Sequence, residues 1–295
     1  MKFMFKNTLV SCFILVLFVT LGCQAPKRES SIVFSRLTGS YWQIWTMDAD
    51  GGTLKQITKS ANDKRYPVWS NDNQKLLYRT NNNGAFIFDL QTGEEKQILP
   101  EMGIIGSISQ SPVSDDLLIT RFRTEIMDSS NLWLTSIDGS HRTLLTRDIG
   151  LQYDPAWSPD GKEIAYVSGH GYQTHELYII NSDGSNKRQL TNNKALELLP
   201  AFSPDSNRIA YVSDQTGDFE IWVMDVNGNN VKQLTYKEGL DTRPCWSQDG
   251  TKILFVSNRS GVLHLWIMDS DGKNPRQLTS GASCMDPDWK RLHQR

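Results

Sequence analysis

Apolar residues along this chain fall in short runs that alternate with polar neighbours, and each run stops at a cluster of Gly, Pro, Asn, Asp or Ser. That pattern predicts strands packed on a half-buried or buried face, not amphipathic helices. Between Leu196 and Thr235 the runs Glu197-Leu-Leu-Pro-Ala-Phe202, Arg208-Ile-Ala-Tyr-Val-Ser213, Glu220-Ile-Trp-Val-Met-Asp225 and Val231-Lys-Gln-Leu-Thr235 predict four strands. Almost no helix is expected.

The same unit recurs. The aromatic residue of a Pro-X-Trp/Phe-Ser turn stands at Trp69, Trp157, Phe202, Trp246 and Trp289, with Gln110 in its place in a worn copy, at spacings of 41, 47, 45, 44 and 43 residues. Ile/Leu-Trp-X-Met-Asp ends at Asp48, Asp225 and Asp269, and Gln-Leu/Ile-Thr ends at Thr58, Thr191, Thr235 and Thr279. Three markers on one period of 40–50 residues predict an all-β, six-bladed β-propeller of four-stranded antiparallel blades. Residues 61–99, 103–146, 152–191, 196–235 and 240–279 supply five blades. Residues 31–58 align without a gap onto 208–235, so they hold only the last three strands of a unit, and Cys284–Trp289 holds only a first strand. The two chain ends therefore make the closing blade together, which removes the open sheet edges of a linear array. Ser158-Pro-Asp-Gly161 and the Asp-X-Asp-Gly clusters at Asp48, Asn181 and Asp269 are read as turns, because Pro fixes φ and Gly accepts a positive φ. A calcium loop would need a closing Glu that they lack.

Residues 1–22 carry Lys2 and Lys6 ahead of an apolar stretch, Leu9–Leu21, that is short for a membrane span and suits a signal peptide. Thr20-Leu-Gly-Cys23 resembles the bacterial lipobox, with Thr20 where an aliphatic residue is usual, and predicts lipidation at Cys23. Ordinary secretion and an uncleaved anchor are the competing readings; no Ala-X-Ala cleavage site follows. Residues 23–30 form a linker, 31–290 the propeller and 291–295 a tail. Cys245 and Cys284 stand four residues out of step on their inner strands, an offset of roughly 13 Å along a strand, so they are expected as separate buried thiols.

Chemistry is sparse. The formal net charge is −2 with 31 basic and 33 acidic residues, which leaves no basic field for nucleic acid. No Gly-X-Ser-X-Gly elbow and no phosphate loop occurs. Of the five His, only His170 and His175 are close in sequence, and they are read as exposed loop residues, not as a metal pair. No catalytic residue, metal site or cofactor is expected. The remaining surface follows from topology: the starts of the inner strands share one face with the longer loops, around a mouth of the central channel. Lys64, Arg65, Gln152, Asp154, Glu197, Asp241, Arg243 and Asp286 are expected there, reaching solvent and available to a partner. The altered loop at 121–130 is a second candidate contact.

Pro155-Ala-Trp-Ser-Pro-Asp-Gly161, Glu220-Ile-Trp-Val-Met-Asp225 and Arg276-Gln-Leu-Thr279 resemble the repeats of the TolB propeller family, and the resemblance covers residues 31–290. Related repeats occur in the propellers of prolyl-oligopeptidase-like and tricorn proteases and in oligogalacturonate lyases. The resemblance implies a monomeric, non-enzymatic platform in the bacterial cell envelope that binds a protein or peptide, with a Pal-like lipoprotein as the implied partner. A lipid anchor at Cys23 would hold it to the membrane, and Gln24 after the Cys points to the outer membrane, facing the periplasm. The α/β domain that precedes the propeller in TolB is missing from this sequence. Two alternatives from other classes are a polysaccharide lyase resembling oligogalacturonate lyases, whose metal site uses several His and a Gln, and a glycan or peptidoglycan binder using Tyr41, Trp42 and Tyr172.

Overall fold

The computed structural model describes residues 31–80, 84–123, 128–170, 174–236 and 239–291. The signal segment, Cys23, the linker, Tyr172 and the tail beyond Arg291 lie outside the described residues, as do residues 124–127 of the altered loop.

Six four-stranded antiparallel sheets form the blades of a propeller, and in each the first strand of the repeat is innermost. The inner strands are Lys64–Trp69, Ile105–Gln110, Leu151–Trp157, Glu197–Phe202, Asp241–Trp246 and Cys284–Trp289, which head blades 1 to 6 in turn. Blade 6 is completed by Ile32–Thr38, Tyr41–Met47 and Lys55–Gln56 from the other chain end, with Ile32 opposite Trp289 and Arg36 opposite Cys284. Among the described residues the only helical turn is Pro100–Met102, between blades 1 and 2.

Each marker has a structural cause. The aromatic markers are buried between neighbouring blades, from Trp69 at 3% exposure to Trp157 and Trp289 at 9%. In the Ser-Pro-Asp-Gly turn, Ser158 Oγ donates to Asp160 Oδ1 at 2.7 Å and accepts the Glu163 amide at 2.9 Å, while Gly161 takes φ +72°. The Thr hydroxyl of the Gln-Leu/Ile-Thr marker, and of Thr146 at the matching place in blade 2, accepts an amide of the third strand: Thr58 from Ile44, Thr146 from Leu132, Thr191 from Leu177, Thr235 from Ile221 and Thr279 from Leu265, each at 2.9 Å. The Gln side chain donates back to the Thr carbonyl, as at Gln189 and Gln233 (2.7 Å). The short fourth strand is therefore pinned by side chains where its own ladder is brief. Asp48 accepts the amides of Asp50 and Gly52 and the Thr53 hydroxyl, so this carboxylate serves the turn.

Candidate functional site

Five of the six inner strands carry a Pro at the same place: Pro67, Pro155, Pro200, Pro244 and Pro287. Pro cannot donate to a ladder, and in all five the pairing to the second strand slips around it, as between Arg65 and Val68 or Thr242 and Cys245. The residue before each Pro is left-handed: Tyr66 (φ 55°), Asp154 (47°), Leu199 (52°), Arg243 (53°) and Asp286 (54°). None is Gly, so each holds a conformation that costs on the order of 1–3 kcal/mol. The bulge turns this one position of every such blade into the channel.

The contact of Arg243 with Tyr66 shows where these side chains go, because it joins blades 5 and 1, which blade 6 separates around the ring and which meet only on the channel side. Asp286 of blade 6 accepts Arg65 Nε of blade 1 at 2.6 Å and Arg243 Nε of blade 5 at 3.0 Å. The Tyr66 amide also donates to it, at 3.3 Å. Arg243 Nη2 donates to the Tyr66 hydroxyl at 3.3 Å. The guanidinium groups of Arg79, Arg243 and Arg65 lie 4.4, 4.7 and 5.3 Å from the centre of the Tyr66 ring, and Arg65 also stacks on Trp42 at 4.7 Å. Burial alone would raise the Asp286 pKa, but Arg243 and Arg65 outweigh it and hold this carboxyl below its ordinary value. Asp154, across the channel, goes the other way: burial pushes it up, the fields of Arg243 and Arg79 offset only part of that, and Asp286 adds to the rise. The channel thus holds three guanidiniums, one carboxylate that two of them keep firmly ionised and a second whose ionisation burial opposes.

The eight expected mouth residues divide into two groups. Arg65, Asp154, Arg243 and Asp286 line the channel; Arg65 and Arg243 keep 20% and 19% of their side chains exposed. Lys64, Gln152, Glu197 and Asp241 do not reach solvent as expected: they are at most 2% exposed and lie between blades. Two strand positions earlier than the bulge, their side chains point into the junction with the preceding blade. Lys64 pairs with Glu95, which also takes the Tyr78 hydroxyl. Gln152 accepts Asn131 Nδ2 at 2.8 Å, and Asp241 pairs with Arg259. Glu197 accepts Asn193 Nδ2 at 2.7 Å and Ser213 Oγ at 3.0 Å, and its pKa is pushed up to about 7 by burial, with Glu176 and Asp214 adding to the rise. Reversing Asp241 would thus strike the blade 4–5 junction, not a binding surface.

At the tight-turn end of the channel, the described chain finishes by crossing three blades. Arg291 donates to Asn71 Oδ1 at 2.7 Å and to the Gln110 carbonyl at 3.2 Å, while its amide and carbonyl bond Asn73. Gln110, which stands where other blades carry an aromatic marker, accepts the Asn71 amide at 2.9 Å. Arg291 was expected in the tail and instead staples blade 6 to blades 1 and 2. Beside it, Asp288 accepts the Trp69 amide at 2.9 Å and is raised to about 6 by burial.

His175 departs from expectation. It is 9% exposed, lies in the strand Thr174–Asn181 and meets the Tyr153 hydroxyl through Nδ1, whereas His170 is exposed. Among the described residues no three of His, Cys, Asp and Glu are grouped to hold a metal ion. Cys245 and Cys284 are free thiols. Sequence reasoning missed Tyr66 and Arg79; the recurring X-Pro within a predicted inner strand was the available signal for the first, and the second lies on another strand with no local mark.

A sequence profile described as the TolB beta propeller domain matches residues 29–198 and 138–291. The Tol-Pal system protein TolB of Bordetella pertussis (strain Tohama I) is 26% identical over 141 residues, 48% of this chain and 32% of the relative. The chain spans about a third of the length of the curated relatives it matches. Among solved structures, TolB from Acinetobacter baumannii superposes with TM-score 0.75 at 19% identity, over 90% of this chain and 67% of that one. An oligogalacturonate lyase in complex with manganese superposes with TM-score 0.60 at 17% identity, over 84% and 73%. At these identities the likeness to both structures concerns the fold.

Proposed function

This chain belongs to the TolB beta propeller domain family, and from that premise we propose that it is a non-enzymatic scaffold of the bacterial cell envelope, binding a protein or peptide through the channel face. The observation that carries the reading is the set of polar groups brought onto the central axis from blades 1, 3, 5 and 6, open at the strand-start end and crossed by Arg291 at the other. A relative carries the name of the Tol-Pal system, which supports an envelope protein, such as a Pal-like lipoprotein, as the partner. Lipidation at Cys23 would tether the propeller to the membrane, facing the periplasm of a cell with an outer membrane.

A photo-crosslinking amino acid at Thr216, in an exposed loop on the mouth side, should capture an envelope protein in cells. The same group at Asp249, exposed in a tight turn on the opposite face, should not. Capture at 249 with none at 216 overturns the assigned face.

A further inference from the structure

Resting on the channel-face reading, we infer that the channel is a receptor for carboxylates and that its occupant is an acidic peptide segment, seated on Arg79. The chain as a whole is slightly acidic, at −2, so a cationic channel is a local construction. Three arginines converge on it from blades 1 and 5. Asp286 is shared by Arg65 and Arg243 and is 5% exposed, so its charge is spent inside the wall. Among the described residues Arg79 forms no ion pair: it donates to the Ile105 carbonyl at 3.3 Å, stacks on Tyr66 and acts on Asp154 only through its field. Its remaining guanidinium donors are fixed in place by the ring beneath them, which suits the fork geometry of a carboxylate.

The other wall carries Leu199 and Asp154. Burial raises the Asp154 pKa, and the fields of Arg243 and Arg79 oppose that rise. A surplus of positive charge between low-dielectric walls concentrates field along the axis and draws an anion in from the mouth. Apolar contact on the Tyr66 ring beside the arginines favours a peptide carrying acidic side chains over a bare inorganic anion.

The test uses blocked pentapeptides with three central glutamates, three glutamines or three lysines, titrated into the unaltered protein by calorimetry. The glutamate peptide should bind at least about tenfold more tightly than the glutamine peptide, the range of charge-assisted hydrogen bonds, and the lysine peptide should not bind. Its affinity should fall with added salt. Arg79→Gln should lose that preference, and Arg79→Lys should restore part of it. Equal binding of glutamate and glutamine peptides, or no binding of the glutamate peptide, overturns the inference without needing any variant to fold. If the envelope protein crosslinks at Thr216 while the glutamate peptide fails to compete, the carboxylate inference falls and the channel-face reading stands. If it crosslinks only at Asp249, the channel-face reading falls as well.

Discussion

Glu197→Gln should stabilise the propeller at pH 8 and leave it unchanged at pH 4.5. Glu197 is fully buried at the junction of blades 3 and 4. Its Oε1 accepts Asn193 and Ser213, while its Oε2 has no hydrogen-bond partner. Asn193 also donates its amide to Glu176 at 2.8 Å, so a second carboxylate shares the junction. Burial, with Glu176 and Asp214 adding to it, raises the pKa of Glu197 from 4.5 to about 7. The folded state therefore binds this proton more tightly than the unfolded state. The stability it contributes is fully present below pH 4.5 and is lost as the pH rises through about 7. At 1.36 kcal/mol for each tenfold change, the loss has a ceiling of about 3 kcal/mol. Glutamine keeps the acceptor for Asn193 and Ser213 and removes the titration. At about 2–4 °C per kcal/mol, the melting temperature at pH 8 should rise by roughly 5–10 °C. Scanning calorimetry from pH 4.5 to 8.5 reads the difference between variant and parent. A difference independent of pH would refute titration of Glu197 in this window. Glu220, raised to about 7 by burial and by its neighbour Asp241, gives the parent a residual slope of the same sign. Asp286, held below its ordinary value of 3.8, acts oppositely and only at lower pH, where protonation strands Arg65 and Arg243.

Deleting residues 282–295 should lower the melting temperature far beyond a normal tail truncation, since loss of a buried Trp such as Trp289 alone costs about 3–5 kcal/mol; an unchanged thermal melt by circular dichroism would contradict ring closure by the two chain ends. Thr235→Val should cost about 1–3 kcal/mol in urea unfolding, because the buried Ile221 amide and Glu220 both lose the hydroxyl; a neutral result would remove the role given to the Gln-Leu-Thr marker. Cys23→Ser should abolish incorporation of labelled fatty acid, and equal labelling of both proteins would end the lipobox reading.

The ring was legible because its turn chemistry is local. Ser, Asp and Gly within four residues build the tight turn by their own hydrogen bonds, so each repeat announces itself wherever it lies. Even blade 2, with Gln110 for the aromatic marker, keeps the spacing. The channel was legible in part, since Arg65, Asp154, Arg243 and Asp286 were expected there and line it. A strand reads as strict alternation, and under that rule the residues opening each inner strand, Lys64, Gln152, Glu197 and Asp241, looked free to reach the mouth. The bulge at X-Pro adds one residue and gives the axis to the position before each Pro, held by the expected Asp154, Arg243 and Asp286 and by the unexpected Tyr66. Arg79 and Arg291 reach the site or its far end only after the ring closes, and no pattern within their own strands marks them.

Closure and recognition then meet in one side chain. The strand Cys284–Trp289 is the last to be made and completes the ring, and it brings Asp286. Arg65 of blade 1 and Arg243 of blade 5 flank this strand on its two sides, and both pair with Asp286. Asp286 therefore ties the closing strand to both neighbouring blades and fixes which guanidiniums are consumed. An arginine pair bridged by one buried carboxylate is costly to break, on the order of 3–5 kcal/mol when a partner is removed. Arg65 and Arg243 are held rigid for that reason, and Tyr66 is clamped between them and Arg79. The channel lining inherits its order from the closure of the ring. Substitutions at Asp286 will therefore report on folding before they report on binding, whereas Arg79, outside that ion pair, is the position at which the two can be separated.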